Sequence, residues 1–249
     1  LNNFLDIVES HRINSTLFTL SSIAPLVKNE LIYAVNNHHE VSSHGSSHKR
    51  PLSISKDEFI EEARSSKLAL EDIVGSQVLG YRAPCFSMDN RLIEEIIKIG
   101  YAYDSSAINF TTHPLYGGID LGSFYKKMDN VYQLRSLTEF ELPTTKLLGR
   151  NIPISGGGYL RIFPWLLMKK LISNFLKNNQ TYFLYIHPFE LSKKTTPKID
   201  NVSFLKNCRF RYGQSHTPEK LNKLIDLLKS KGFEFVTFKS LMQIVNKYE

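Results

Sequence analysis

Over the first hundred residues, apolar positions at helical spacing alternate with short runs at strand spacing, and the joints between them are only a few residues long. Leu1, Phe4, Leu5 and Val8 mark a first amphipathic helix, and residues 15–20 read as a short strand. Residues 23–35 supply a second helix and residues 40–43 a second strand. Ser55 with Glu58 forms a capping box for a third helix, which carries Phe59, Ala63, Leu70 and Ile73 inward and closes at Gly75. Residues 78–81 read as a strand, Leu92, Ile93, Ile96 and Ile97 as a helix stopped by Gly100, and Tyr101-Ala102-Tyr103 as the next strand. A chain with this rhythm builds parallel strands joined by right-handed crossovers, because two parallel neighbours cannot be linked by a tight turn.

From about Asn109 to Gly158 the rhythm gives way to a long irregular segment with short β-like pieces at 131–134 and 139–142. It closes in Ser155-Gly156-Gly157-Gly158-Tyr159, read as a flexible turn where backbone could approach a ligand. No Gly-Lys-Ser or Gly-Lys-Thr follows, so it is not a phosphate loop. Pro164 opens a helix with Leu167, Leu171 and Phe175 on one face. The apolar run 182–186 has the composition of a buried parallel strand and ends in His187-Pro188. Thr217-Pro218 starts a long helix stopped by Gly232, residues 233–238 read as a final strand, and a terminal helix follows.

Several of these strands end in polar groups. The most unusual is the stretch from Ser42 to His48, which holds His44 and His48 among small residues with no apolar position between them. Such a stretch builds no core. Two neutral imidazoles four residues apart can reach one divalent metal ion from a tight loop, and the glycine after His44 favours a loop over a helix. Arg82, Asp104 and His187 stand at other strand ends. Each has an ordinary reading: a surface arginine, a turn-capping aspartate, a satisfied core histidine. Repeated at successive strand ends, they describe the face of a barrel where chemistry is placed.

Composition bounds the rest. The 249 residues are 42% hydrophobic, enough for one sizeable core and read as a single domain over 1–249. No apolar run approaches the roughly 20 residues of a membrane span. The net charge of +7 is spread along the chain, which is read first as solvated lysine faces and favours mild attraction to anionic surfaces or glycans over a nucleic-acid reader. Cys85 and Cys208 form no disulfide framework. The chain opens on Leu1 inside a helix, without an initiator methionine or a cap, and is read as a fragment.

The order of motifs resembles the polysaccharide deacetylases of the NodB-homology type, carbohydrate esterase family four. Four blocks carry the resemblance: His39 to His48, Tyr81-Arg82-Ala83-Pro84, Gly100 to Ser106, and His187-Pro188. The stretches from Gly149 to Tyr159 and from His187 to Leu191 look like the subgroup linked to bacterial exopolysaccharide gene clusters. The resemblance implies a distorted (β/α) barrel and metal-dependent removal of N-acetyl groups from the amino sugars of a polysaccharide or oligosaccharide. It implies a divalent metal, zinc foremost, held by His44 and His48 together with an aspartate. It also implies His187 as the acid that protonates the leaving amine, Arg82 orienting a base aspartate, the Cys85 backbone N–H helping to hold the oxyanion, and Asp104 pairing with His187. Both catalytic aspartates of the family lie on a first strand upstream of the helix at which this chain opens, so the expected fold lacks that strand. Members of the subgroup suggest a cytoplasmic location. Two other readings stand beside this one: a cyclic-amide hydrolase of the same superfamily, and a non-catalytic glycan-binding or assembly protein.

Overall fold

The structure is a computed structural model, and it describes residues 1–110, 113–192 and 212–247. The chain forms two compact units that interleave in sequence: Asn14–Thr144 with Phe235–Glu249, and Leu1–Ile13 with Thr145–Glu234. Cys208 lies outside the described residues.

The first of these units is built on a seven-stranded sheet. Its strands are β1 (Thr16–Thr19), β2 (Glu40–Ser43), β3 (Gly80–Tyr81), β4 (Tyr103–Asp104), β5 (Tyr125–Met128), β6 (Val131–Leu134) and β7 (Leu137–Phe140), in the spatial order β1-β2-β3-β4-β7-β6-β5. β1 to β4 run parallel, and β7 joins β4 in parallel before the chain's own meander adds β6 and β5 antiparallel. The helices expected between the parallel strands are present: α2 (Lys28–Asn36), α3 (Lys56–Val74) and α4 (Asn90–Ile99). The Ser55 side chain accepts the Glu58 N–H at 3.2 Å, and Gly75 closes α3 in the left-handed region with φ +67°. Between these layers lie Leu31, Phe59, Leu70, Tyr81, Ile93, Ile96 and Leu137, and on the sheet's other face Tyr103 and Phe140, all essentially out of solvent.

β3 and β4 are only two residues long, because the strand positions there serve side-chain packing as much as the ladder. The backbone at Gly80 lies directly against the Tyr103 ring, and a Cβ there would come within 1.9 Å of it. Tyr103 in turn donates from its hydroxyl to Glu40 Oε1 at 2.8 Å. Phe238, at the start of the last helix (Phe238–Lys247), packs on Phe18, Tyr103 and Phe140 with ring centres 4.8–5.7 Å apart. The Phe238 N–H donates to Thr16 Oγ1 at 3.0 Å and the Lys239 N–H to Glu40 Oε2 at 3.0 Å, so side chains from β1 and β2 satisfy that helix's first donors.

Among its described residues the second unit holds a two-stranded hairpin, β8 (Thr144–Leu147) with β9 (Arg150–Pro153), and the helices Gly157–Ile162, Trp165–Phe175 and Thr217–Ser230. The opening helix, α1 (Asn2–Ser10), belongs to this unit. Its Asn3 amide donates to the Leu191 carbonyl at 3.1 Å, and His11 bonds Asn222 at 2.8 Å.

Three sequence expectations are corrected. Residues 182–186 form a single bridge, Tyr185 to Gly156, instead of a strand, because the partner chain turns into a helix at Gly157 and the ladder stops there. Residues 233–238 form no strand either: Thr237 Oγ1 accepts the Ser240 N–H at 3.1 Å and starts the terminal helix. The glycine run expected as a turn opens the helix Gly157–Ile162.

Candidate functional site

The histidine pair sits where the alternation of elements placed it, immediately beyond the C-terminal end of β2. His44 is half-buried and His48 exposed, the latter with a left-handed φ of +60°. Their ring centres are 5.2 Å apart. His44 Nδ1–H donates to the Arg82 carbonyl at 2.7 Å, and since a carbonyl can only accept, this fixes the tautomer and puts the imidazole lone pair on Nε2. The two imidazoles fit a divalent metal by donor type and by spacing. Among the described residues no third histidine, cysteine, aspartate or glutamate joins them in a cluster.

Arg82 follows β3 and is buried. Its Nε–H donates to the Ser105 carbonyl at 2.9 Å and its Nη2–H to Ser105 Oγ at 2.7 Å, while the guanidinium lies over the Phe18 ring at 4.1 Å. The charge is therefore held in one orientation by a fork and a stack. The Ala83 N–H donates to Ser106 Oγ at 2.9 Å. Beyond Pro84, Cys85 and Phe86 both adopt left-handed backbone, with φ of +55° and +51°. Two adjacent non-glycine residues in that region store strain, typically about 1–3 kcal/mol each. Burial raises the Cys85 thiol above its ordinary pKa, which makes it a poor nucleophile.

Asp104 ends β4 and is completely buried. Its Oδ2 accepts the Ser106 N–H at 2.9 Å and its Oδ1 the Ser106 hydroxyl at 3.0 Å. Beside it in register on β7 stands Glu139, also fully buried, whose Oε1 accepts the N–H groups of Ser106 at 3.0 Å and Ala107 at 2.8 Å. Burial pushes Asp104 up to about 6 against the hydrogen bonds from Glu139 and Ser106 and the Arg82 charge. Burial and the neighbouring Asp104 carboxylate push Glu139 well above the usual carboxylate range. Two buried carboxyls side by side cannot both ionise cheaply, so the charge on each favours the protonated form of the other. Sequence reading missed Glu139. The signal was a glutamate between Thr138 and Phe140 in the short strand Leu137–Phe140, where an unpaired buried charge is costly.

In the other compact unit, His187 is exposed and precedes the turn Pro188–Leu191. Its carboxylate neighbour is Glu190, 1% exposed: Oε2 accepts the His187 backbone N–H at 2.9 Å and lies 3.4 Å from His187 Nδ1. The resemblance assigned that pairing to Asp104, which belongs to the other compact unit. Glu190 is also 3.7 Å from the buried Arg161. Gly157 explains part of the glycine run, since a Cβ there would lie 2.3 Å from Glu190 Oε2.

Among the described residues no helix is long and apolar enough to cross a membrane.

The polysaccharide deacetylase family model matches residues 1–103, and the model described as a domain of unknown function, DUF3473, matches residues 105–243. The peptidoglycan deacetylase of Helicobacter pylori is 22% identical over 199 residues, which are 80% of this chain and 64% of that protein; the chain thus spans somewhat under two thirds of this curated relative. Two solved structures share the fold. The peptidoglycan deacetylase PdaC of Bacillus subtilis superposes with a TM-score of 0.55 at 14% identity, covering 99% of this chain and 84% of its own. A CE4 family pseudoenzyme from Bacillus anthracis gives 0.57 at 12% identity, covering 97% and 59%. The α/β architecture with its central parallel sheet is that of the NodB-type deacetylases, whose barrel is distorted. The DUF3473 model covers more than half of the chain, so the chain belongs to the family that carries that domain, and its first 103 residues match the polysaccharide deacetylase model.

Proposed function

We propose that this protein is a metal-dependent hydrolase that removes N-acetyl groups from the amino sugars of a bacterial envelope glycan or exopolysaccharide. The observation that carries the reading is the His44 imidazole, pinned through Nδ1 to the Arg82 carbonyl with the His48 ring 5.2 Å away. A pinned tautomer beside a second imidazole is what a metal-holding pair needs. His44 and His48 would hold a divalent ion, zinc by the nitrogen donors, and the ion would supply Lewis-acid polarisation of the acetyl carbonyl.

Other residues of the chain take further parts. The Cys85 N–H, presented by strained backbone beyond Pro84, donates to the developing oxyanion. His187 delivers a proton to the departing amine, and Glu190, buried behind it, holds the imidazole by Nδ1. Arg82 keeps a fixed positive charge over the β3–β4 end of the sheet. The two compact units interleave in sequence, which supports reading residues 1–249 as one functional domain.

The test is metal content and acetate release from N-acetylglucosamine oligomers and from peptidoglycan fragments, made on the natural full-length chain. About one metal bound and acetate released supports the reading. Oligosaccharide binding without any acetate release, with metal present, overturns it in favour of a non-catalytic glycan-binding protein. Cleavage of a cyclic amide instead would point to the superfamily's other branch.

A further inference from the structure

We infer that Glu62 and Ser66, on the sheet-facing side of α3, are positioning residues that set the spacing of the two histidines by gripping the loop between them. The inference rests on the reading of His44 and His48 as metal ligands.

Every residue between the histidines is tied to this helix. Glu62 Oε2 accepts the backbone N–H groups of Ser46 at 3.2 Å and Ser47 at 3.0 Å, and its Oε1 accepts the Ser47 hydroxyl at 2.8 Å. One turn along α3, the fully buried Ser66 hydroxyl donates to the Gly45 carbonyl at 2.9 Å. Ser43 Oγ lies 2.9 Å from Ser66 Oγ and accepts the Gly45 N–H at 3.2 Å. Because Ser66 gives its proton to Gly45, Ser43 must give its own to Ser66, and the bonds close into a ring: Gly45 N–H to Ser43, Ser43 to Ser66, Ser66 back to the Gly45 carbonyl. The outer side of the loop is fixed too, by Ser21 N–H to the Gly45 carbonyl at 3.1 Å and by the Ser22 hydroxyl to the Ser46 carbonyl at 2.6 Å.

A loop of glycine and serines has no apolar contacts to hold it and would be mobile by composition. Three bonds to one carboxylate, charge-assisted at the acceptor, convert it into a rigid bridge between two imidazoles. Residues Glu62 and Ser66 stand four apart, so a single helical face presents an acceptor for two N–H groups and a donor for one carbonyl. The lever is specific to the loop: Glu62 makes no comparable bond to the core.

The experiment measures the dissociation constant for Zn²⁺ or Co²⁺ on metal-stripped full-length protein, alongside the Tm of the metal-free form. Glu62→Ala is expected to weaken metal binding by roughly 10- to 100-fold while the metal-free Tm moves little. Glu62→Gln keeps a carbonyl for the two N–H groups and should recover most of the affinity. Glu61→Ala, an exposed neighbour on the same helix, should match wild type. Unchanged affinity in Glu62→Ala, with His44→Ala and His48→Ala having lost the metal, overturns the inference and leaves the metal site standing. Unchanged affinity in the two histidine variants would instead sink the metal site itself. Should Glu62→Ala fail to fold, Ser47→Ala removes one of the three bonds: a weakened metal supports the inference, and wild-type affinity overturns it.

Discussion

At the scale of single residues, the proposed function gives the histidines different roles, and substitutions should separate them. His44→Ala and His48→Ala are each expected to lose bound metal, read by elemental analysis after dialysis. His187→Ala should keep the metal and lose about 10²- to 10⁴-fold in kcat, the usual worth of a positioned general acid; full activity in that variant would remove His187 from the mechanism. Glu190→Gln keeps an acceptor for the His187 N–H but not the charge beside Nδ1, so it should lower kcat without releasing metal. Cys85 is asked only for its backbone. Cys85→Ala should therefore work like wild type, which also checks that the buried thiol takes no part as a nucleophile.

Among the elements, the two-residue strands β3 and β4 show how little ladder a parallel sheet needs when side chains lock it from outside. Gly80 and Tyr103 are the lock: a methyl group at position 80 would need the Tyr103 ring to leave a site it shares with Glu40, Ser42 and Phe238. Gly80→Ala should cost several kcal/mol, roughly 2–4 by analogy with overpacked cores and broken buried hydrogen bonds, seen as a lowered urea midpoint. An unchanged midpoint would mean that the ring moves freely. The elements legible in the sequence are those whose signals are local. β2 and the Ser55 cap of α3 fall where the pattern put them, and Gly100 ends α4 in the left-handed region. Residues 182–186 and 233–238 were misread because an apolar run reports burial, not ladder pairing. Thr237 did carry a legible helix start, in a hydroxyl three residues ahead of the Ser240 N–H, and the aromatic run around it masked that signal.

For the whole molecule, the place of the histidine pair beyond β2 could be read from the sequence, but the way the buried charges are balanced could not, because that depends on which strands become neighbours. Glu139 follows Asp104 by thirty-five positions, and only the β4–β7 pairing brings the two carboxyls together with Ser106 between them. Such a pair makes stability depend on pH in a direction opposite to that of an ordinary salt bridge. Asp104 ionises near 3.8 when exposed and near 6 when folded, and folding raises Glu139 well above 4.5. The folded state thus keeps protons that the unfolded chain has already released. The pair's contribution is fully present below the unfolded values, declines from about pH 4 upward, and is lost as the pH passes the folded values. Glu139→Gln stays neutral and can donate to Asp104 as the protonated carboxyl does. Its stability relative to wild type should therefore rise between pH 5 and pH 8, because the variant has no carboxyl at 139 whose proton folding retains. Urea midpoints across that range test it. Parallel curves for the two proteins would mean that the buried pair exchanges its proton without cost, and that Ser106 and Ala107 alone hold the end of the sheet beneath Arg82.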